Sequence, residues 1–266
     1  MQGLRERGRK ESSALKGSRD LMRNRRSRPS PRPRSRRAVT RKKESTVAGR
    51  RPRAATGSAH QKMHEASWSR EEALSFLESP DRATTQNPAR LWRRVGLRPG
   101  ETVVDVGAGS GFFSFPALSI VGPRGAVYAV DVSPELVELV RERAVRVGAK
   151  NLSAVLSTAT RIPLEDGVAD LAILANVLHG VPASTVDEAI RLLRPGGRLV
   201  NVDWKKLPTP TGPPVRHRLS ESEAAAAFES RGLTRRDSFE LGPDHYVLVF
   251  ERPAPARRPR RLVSAE

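Results

Sequence analysis

The chain has 266 residues, 37% of them hydrophobic, which is enough for one sizeable domain core with length to spare. A formal charge of +19 suggests a nucleic-acid binder until the charges are located: residues 1–62 carry 21 Lys and Arg against 4 Asp and Glu, residues 252–266 carry 5 against 1, and residues 63–251 carry 22 against 24. The central part is close to neutral, and the absence of cysteine excludes disulfides, thiolate metal sites and cysteine nucleophiles.

Residues 1–62 are rich in Arg, Ser and Pro (RNRRSRPSPRPRSRR is typical) and are expected to be disordered, because they hold too little apolar surface to offset ordering entropy. Three readings stay open for this extension. It is a basic arm for RNA or DNA, an organelle transit peptide, or translation from a start upstream of the true one, with Met63 as the preferred start. The basic tail 252–266 is also expected to be disordered. No apolar run approaches the ~18 residues that span a bilayer, and the N-terminus lacks the apolar core of a secretory signal. The expectation is a soluble, cytoplasmic protein with no membrane contact and no metal.

Ordered sequence is expected from residue 63 to residue 251. Ser69, followed three residues later by Glu72, reads as a capping box opening the helix EEALSFLE, which stops before Pro80. A second helix, Pro88 to Val95, presents Leu91, Trp92 and Val95 on one face and ends at Gly96. The two form a flank, 69–96, ahead of the first strand: a lid over a site, or plain core packing.

Then comes ETVVDVGAGSGFF, Glu101 to Phe113. Val103, Val104 and Val106 read as a buried strand that breaks into a loop of three alternating glycines, Gly107, Gly109 and Gly111. Such a loop lets bare backbone approach a ligand at the start of the next helix. Phe112 to Val121 reads as that helix, Ala126 to Val130 as a second strand ending at Asp131, and Ser133 to Val147 as an amphipathic helix with Pro134 at its first position. The alternation continues with strands Ser153 to Leu156 and Leu171 to Ala175, helix Val186 to Leu193, the turn Pro195-Gly196-Gly197 and strand Arg198 to Val202. Strands separated by helices predict a parallel sheet covered on both faces. The end differs: a helix capped by Ser220 and Glu223 runs to Arg231, and strands Thr234 to Leu241 and His245 to Glu251 follow without a helix between them, forming an antiparallel hairpin.

A nicotinamide dinucleotide fold wants G-x-G-x-x-G, whereas the third-glycine position here is Phe112 and the spacing is D-x-G-x-G-x-G. Asp131, at the tip of the second strand, is placed either to accept hydrogen bonds from both hydroxyls of a ribose or to cap the helix after it.

With VVDVGAGSG, YAVDVS, NLSAVLSTATRIPLEDGVADLAILANVLHGV, LLRPGGRLV and the closing hairpin in view, the chain closely resembles class I S-adenosylmethionine-dependent methyltransferases, particularly the type 11 group that methylates small molecules. The resemblance covers about Glu101 to Phe250. It implies a Rossmann-like seven-stranded, mostly parallel α/β sheet with helices on both faces and the last strand inserted antiparallel. It also implies S-adenosylmethionine as cofactor, released as S-adenosylhomocysteine. By the family's pattern Asp105, Gly107, Ala108, Gly109 and Gly111 meet the methionyl part, and Asp131 with Val132 beside it holds the ribose. Thr158 and Ala159 stand where the family often has an adenine-binding Asp, and Ala175 and Asn176 border the transferred methyl group.

The candidate bases are His179, Asp203, His217 and His245. His179, in NVLHGV, matches a family position that is frequently His, with a structural histidine as the alternative. Asp203 and Trp204 close the fifth strand, and the Pro-rich connection from Lys205 to Leu219 brings Arg216, His217 and Arg218 to an expected substrate wall. His245 is expected to be packed. The stretch ALANVLH lacks the N-P-P-Y signature of exocyclic-amine methylation in nucleic acids, and the missing cysteines argue against cytosine-C5 and thiol-dependent arsenic methylation. The expected activity is methyl transfer to an O, C or N atom of a small metabolite. The alternatives are an RNA methyltransferase using the basic ends and a cofactor-binding module without catalysis. The oligomeric state is not legible.

Overall fold

The computed structural model describes residues 70–254. The Arg-rich stretch to residue 62, Ser69 as a helix cap and the tail from residue 255 onward lie outside them.

Three short helices come first: α1 (Arg70–Leu77), α2 (Pro80–Thr85) and α3 (Pro88–Arg94). The first helix stops before Pro80, as expected, and that proline opens α2, taking the first-turn position where a missing N–H is tolerated. The sheet elements are β1 (Thr102–Val106), β2 (Ala126–Asp131), β3 (Leu152–Leu156), β4 (Ala169–Ala175), β5 (Leu193–Trp204), β6 (Thr234–Leu241) and β7 (His245–Glu251). Between them lie α4 (Ser114–Val121), α5 (Pro134–Arg146), α6 (Ala183–Leu192) and α7 (Glu221–Glu229). The seven strands run in the order β3-β2-β1-β4-β5-β7-β6. The first five pair in parallel and β7 is antiparallel to both β5 and β6.

Both faces of the sheet are buried, so the central strands are apolar at successive positions rather than at alternate ones. Val103, Leu171, Ile173, Val200, Val202, Val247 and Val249 face one core with Leu91 and Trp92 of α3, Ala117 of α4 and Val140 of α5. Val104, Val106, Ala172, Leu174, Leu199, Leu248 and Phe250 face the other, against Val186 and Ala189 of α6 and Phe228 of α7. The period-2 side-chain geometry of a strand divides each run this way.

The boundary that differs most from the sequence expectation is the start of β5. Pro195, Gly196 and Gly197 do not form a turn before β5 but lie within it as an irregularity, with Ala169 of β4 opposite Leu193 and Leu171 opposite Arg198. The glycines stay in the sheet because Gly196 donates to Arg252 O at 2.7 Å and Arg252 donates to Gly197 O at 2.9 Å.

Order reverses between β1 and β4, and in open α/β sheets this is where a crevice opens at the carboxyl ends of the strands.

Candidate active site

The crevice floor is the loop after β1. The amides of Gly107 and Ala108 donate to Val130 O of β2 at 2.8 and 2.9 Å, which folds the loop back over its neighbouring strand. Gly107 has φ 71°, and a Cβ there would stand 2.5 Å from Val177 Cγ2, so both conformation and space demand glycine. Asp131 ties the loop to the end of β2: Oδ2 accepts from Gly109 N at 2.8 Å and Oδ1 from Ser133 N at 3.0 Å. Capping of α5 falls to Ser133, whose hydroxyl accepts from Leu136 N at 3.3 Å. Burial pushes the Asp131 carboxyl above its ordinary value, and the two amide donors oppose that shift.

Above the loop lies a cavity of about 390 Å³. Gly107, Ala108, Gly109, Asp131, Val132, Thr158, Ala159, Ala175 and Asn176 all line it. Two residues that the resemblance implied for the methionyl part, Asp105 and Gly111, do not. Asp105 is 2% exposed and accepts a hydrogen bond from Ser114 Oγ at 2.6 Å, beneath the loop and at the start of α4. Its burial raises the carboxyl to about 6. Gly111 faces α4, where a Cβ would stand 2.7 Å from the Phe115 ring.

Thr158 holds its own loop: its hydroxyl accepts from Arg161 N at 2.9 Å. The carbonyl of Ala159 accepts from Thr185 Oγ1 at 2.9 Å, fastening this wall to α6. Asn176, just past β4, has φ 59°, a left-handed conformation that Asn adopts more readily than other side-chain-bearing residues.

The structure adds residues that the sequence reading passed over. Arg82, Thr85 and Gln86, from α2 and its C-terminus, line the cavity opposite the glycine loop. Asn176 Nδ2 donates to Gln86 Oε1 at 2.8 Å, and Gln86 Nε2 lies 2.8 Å from His245 Nε2. His245 is fully buried against Trp204, ring centroids 4.1 Å apart, and burial followed by the nearby Arg82 charge lowers its pKa to about 3. The imidazole is therefore neutral, its Nε2 accepts from Gln86, and its proton sits on Nδ1. The clue available in the sequence was PDRATTQNP, an Arg and a Gln four residues apart between two prolines, which suits a single capped turn.

His179 and Asp203 are brought together: Nδ1 lies 2.8 Å from Asp203 Oδ1, and both side chains are 0% exposed. Asp203 Oδ1 also accepts from the amide of Trp204 at 2.8 Å. Neither residue lines the cavity, although Val177 and Gly180 on either side of His179 do. His217 sits exposed on the turn Val215–His217, outside the lining, and Arg216 is exposed beside it. The connection after β5 contributes Trp204 and Thr211 instead. Arg218, 3% exposed, holds that connection from within, donating to Lys205 O, Leu207 O, Thr209 Oγ1, Thr211 O and Pro213 O at 2.6 to 3.2 Å, with its guanidinium 5.1 Å from the Trp204 ring centroid.

Residues 97–234 match the family described as "Methyltransferase domain". The arsenite methyltransferase of Halobacterium salinarum is 37% identical over 111 residues, 41% of this chain and 28% of that protein. The ubiquinone/menaquinone biosynthesis C-methyltransferase UbiE of Ectopseudomonas mendocina is 34% identical over 127 residues, 44% of this chain and 49% of that protein. The chain thus spans less than half the length of these curated relatives. Among solved structures, a SAM dependent methyltransferase from Aquifex aeolicus superposes with a TM-score of 0.66 at 30% identity, over 70% of this chain and 100% of that one.

Proposed function

We propose, because this chain belongs to the class I S-adenosylmethionine-dependent methyltransferases, that it methylates an O, C or N atom of a small metabolite held in the cavity between the glycine loop and Trp204. The observation that carries this reading is the pairing of a Cβ-free loop with a desolvated carboxylate, Asp131, on one cavity wall.

The residues suit the family's methyl donor. Asp131 accepts only from backbone amides among the described residues and no cation neutralises it, so lone pairs remain for ribose hydroxyls. A cavity of about 390 Å³ falls in the range of small-ligand sites. S-adenosylmethionine, when bound, supplies a methyl group on a sulfonium that is already activated for in-line displacement.

What remains to this chain is alignment and exclusion of water, with a base needed only if the acceptor atom carries a proton to lose. Gly107 to Gly109 bring backbone to the ligand, Thr158 and Ala159 form the wall assigned to adenine, and Asn176 ends the strand at the reacting end. We assign the His179–Asp203 pair to holding the turn Leu178–Gly180 against the cavity, and His217 to the surface. Ile162, Val177, Val181 and Trp204 add apolar surface to a wall that also carries Thr85, Gln86 and Thr211, which favours an acceptor with both hydrocarbon and polar character. The absence of cysteine sets thiolate-bound arsenic aside despite the arsenite-methylating relative. Among the described residues no helix is long and apolar enough to cross a membrane, and we place the enzyme in the cytoplasm.

The test is incubation of the full chain with labelled S-adenosylmethionine and a metabolite extract, alongside calorimetry with S-adenosylhomocysteine. Asp131→Ala should weaken S-adenosylhomocysteine at least tenfold, since hydrogen bonds to a charged group contribute about 1.5–3 kcal/mol each. Wild-type protein that binds no S-adenosylhomocysteine would refute the reading.

A further inference from the structure

Asp203 is a fully buried carboxylate outside the cavity lining, near the end of β5 and on the far side of β4 from Asp131. Its Oδ1 accepts from His179 Nδ1 and from Trp204 N, both at 2.8 Å. Its Oδ2 is buried without a hydrogen-bond donor among the described residues. Withdrawing a carboxylate from water is costly, and an apolar pair of similar volume would pack two walls together at least as stably. A charged group kept at such a position specifies geometry rather than adding stability.

What it specifies is visible in its neighbours. His179 belongs to the turn Leu178–Gly180, which lines the cavity through Gly180, with Val177 just before it. Trp204, held at its amide by Asp203, also lines the cavity and seats the connection that follows it. The Arg218 guanidinium lies 5.1 Å from the Trp204 ring centroid, and a Cβ on Gly212 would stand 2.9 Å from the ring. Arg218 donates only to uncharged oxygens, and the carboxylates whose charge opposes its desolvation are Asp244 and then Asp203. On β7, Tyr246 stands opposite Asp203, and its hydroxyl donates to Leu219 O at 3.3 Å, where the connection ends. One carboxylate thus sits where the turn after β4 and the long connection after β5 come together.

We propose that Asp203 is a positioning residue for the methyl acceptor: through His179 it sets the turn Leu178–Gly180, and through Trp204 it sets the connection from Lys205 to Leu219, so that two walls at the acceptor end move as one. The acceptor role rests on the methyl-transfer reading above, whereas the mechanical link between the two walls does not. His179 acts on one wall and Asp203 on both. That asymmetry separates a residue joining two walls from a pair that merely holds the turn.

The experiment compares Asp203→Asn with His179→Gln in the full chain by limited trypsin digestion, calorimetry with S-adenosylhomocysteine, and labelled methyl transfer to graded dilutions of a metabolite extract. Asp203→Asn keeps the shape of the side chain and removes its charge. It should loosen the connection and speed cleavage after Arg216, on the turn Val215–His217, about tenfold, as local opening becomes easier. The extract concentration for half-saturation should rise about tenfold more than the maximal rate falls, the pattern of lost binding rather than lost chemistry. S-adenosylhomocysteine affinity should stay within about twofold, because Asp131 and the glycine loop share no partner with Asp203. His179→Gln takes away the Nδ1 donor and should leave Arg216 protected. Asp203→Leu combined with His179→Leu, which leaves no charge orphaned, should show the same opening and serves if the Asn variant does not fold. Unchanged cleavage after Arg216 in Asp203→Asn, or equal cleavage in Asp203→Asn and His179→Gln, overturns the proposal. So does a loss of S-adenosylhomocysteine affinity as large as the loss toward the extract, which would mean that the whole domain has loosened. Wild-type protein that binds S-adenosylhomocysteine but labels nothing in the extract refutes the acceptor role together with the reading above, while the trypsin comparison still decides whether Asp203 joins the two walls.

Discussion

Asp105 shows how a motif residue can act on a site without touching it. Its carboxylate is turned under the glycine loop to Ser114, and burial raises its pKa from 3.8 to about 6. Below about pH 4 the group is protonated in both the folded and unfolded chain. Between about 4 and 6 the folded protein keeps the proton that the unfolded chain has lost, so stability falls as pH rises through that window. Asp105→Asn should remove the effect. Urea unfolding between pH 4 and 7 should show wild-type protein losing up to about 3 kcal/mol relative to the variant, because each tenfold change in proton affinity between the two states is worth about 1.36 kcal/mol; a constant difference would mean that the carboxyl is not perturbed. This burial was not legible in the sequence, because D-x-G-x-G gives the spacing of the loop but not which face of β1 the aspartate occupies. Asp131 was half legible. Both of its oxygens accept backbone amides, one from the loop and one from Ser133, so the bridging role it plays in this chain was not among the two considered for it.

At the scale of elements, β-branched runs and glycine loops made the sheet readable, and strands Thr234–Leu241 and His245–Glu251 fall where the pattern put them. Helix α2 escaped because PDRATT has no apolar periodicity and none of its residues is buried. It nevertheless carries Arg82, and Gln86 follows at its C-cap. The connection after β5 escaped for another reason: Pro-rich sequence reads as an open loop, while its order comes from one arginine several residues away. Five acceptors converge on Arg218, and Gly212 packs so closely on Trp204 that a Cβ would stand 2.9 Å from the ring. The wall is accordingly preformed. Arg218→Ala should cost about 2 kcal/mol of stability by leaving those acceptors without their shared donor. It should also expose Lys205 and Lys206 to trypsin and raise KM more than it lowers kcat. Arg218→Lys should rescue poorly, because an ammonium cannot reproduce the planar fork. Undiminished trypsin resistance in the alanine variant would show that the wall is held by other contacts.

For the whole molecule, the division of charge makes a separate prediction. If the basic ends bind RNA, deleting residues 1–62, with 21 basic against 4 acidic side chains, abolishes retention on RNA and removes its salt dependence, while S-adenosylhomocysteine affinity stays within about twofold. RNA affinity that survives the deletion would place the contact elsewhere. The hydrogen bond between Gln86 and His245 has a consequence of another kind, since it joins residues 159 apart in sequence. During synthesis the flank and the glycine loop leave the ribosome well before β7, and a nascent chain holding everything up to β5 has the crevice without the strand that fixes Gln86. A ribosome-bound intermediate can therefore fold its parallel strands while Gln86 still lacks its partner His245. This wall of the cavity is thus completed only after β7 has been translated, which makes its assembly a reporter of chain completion.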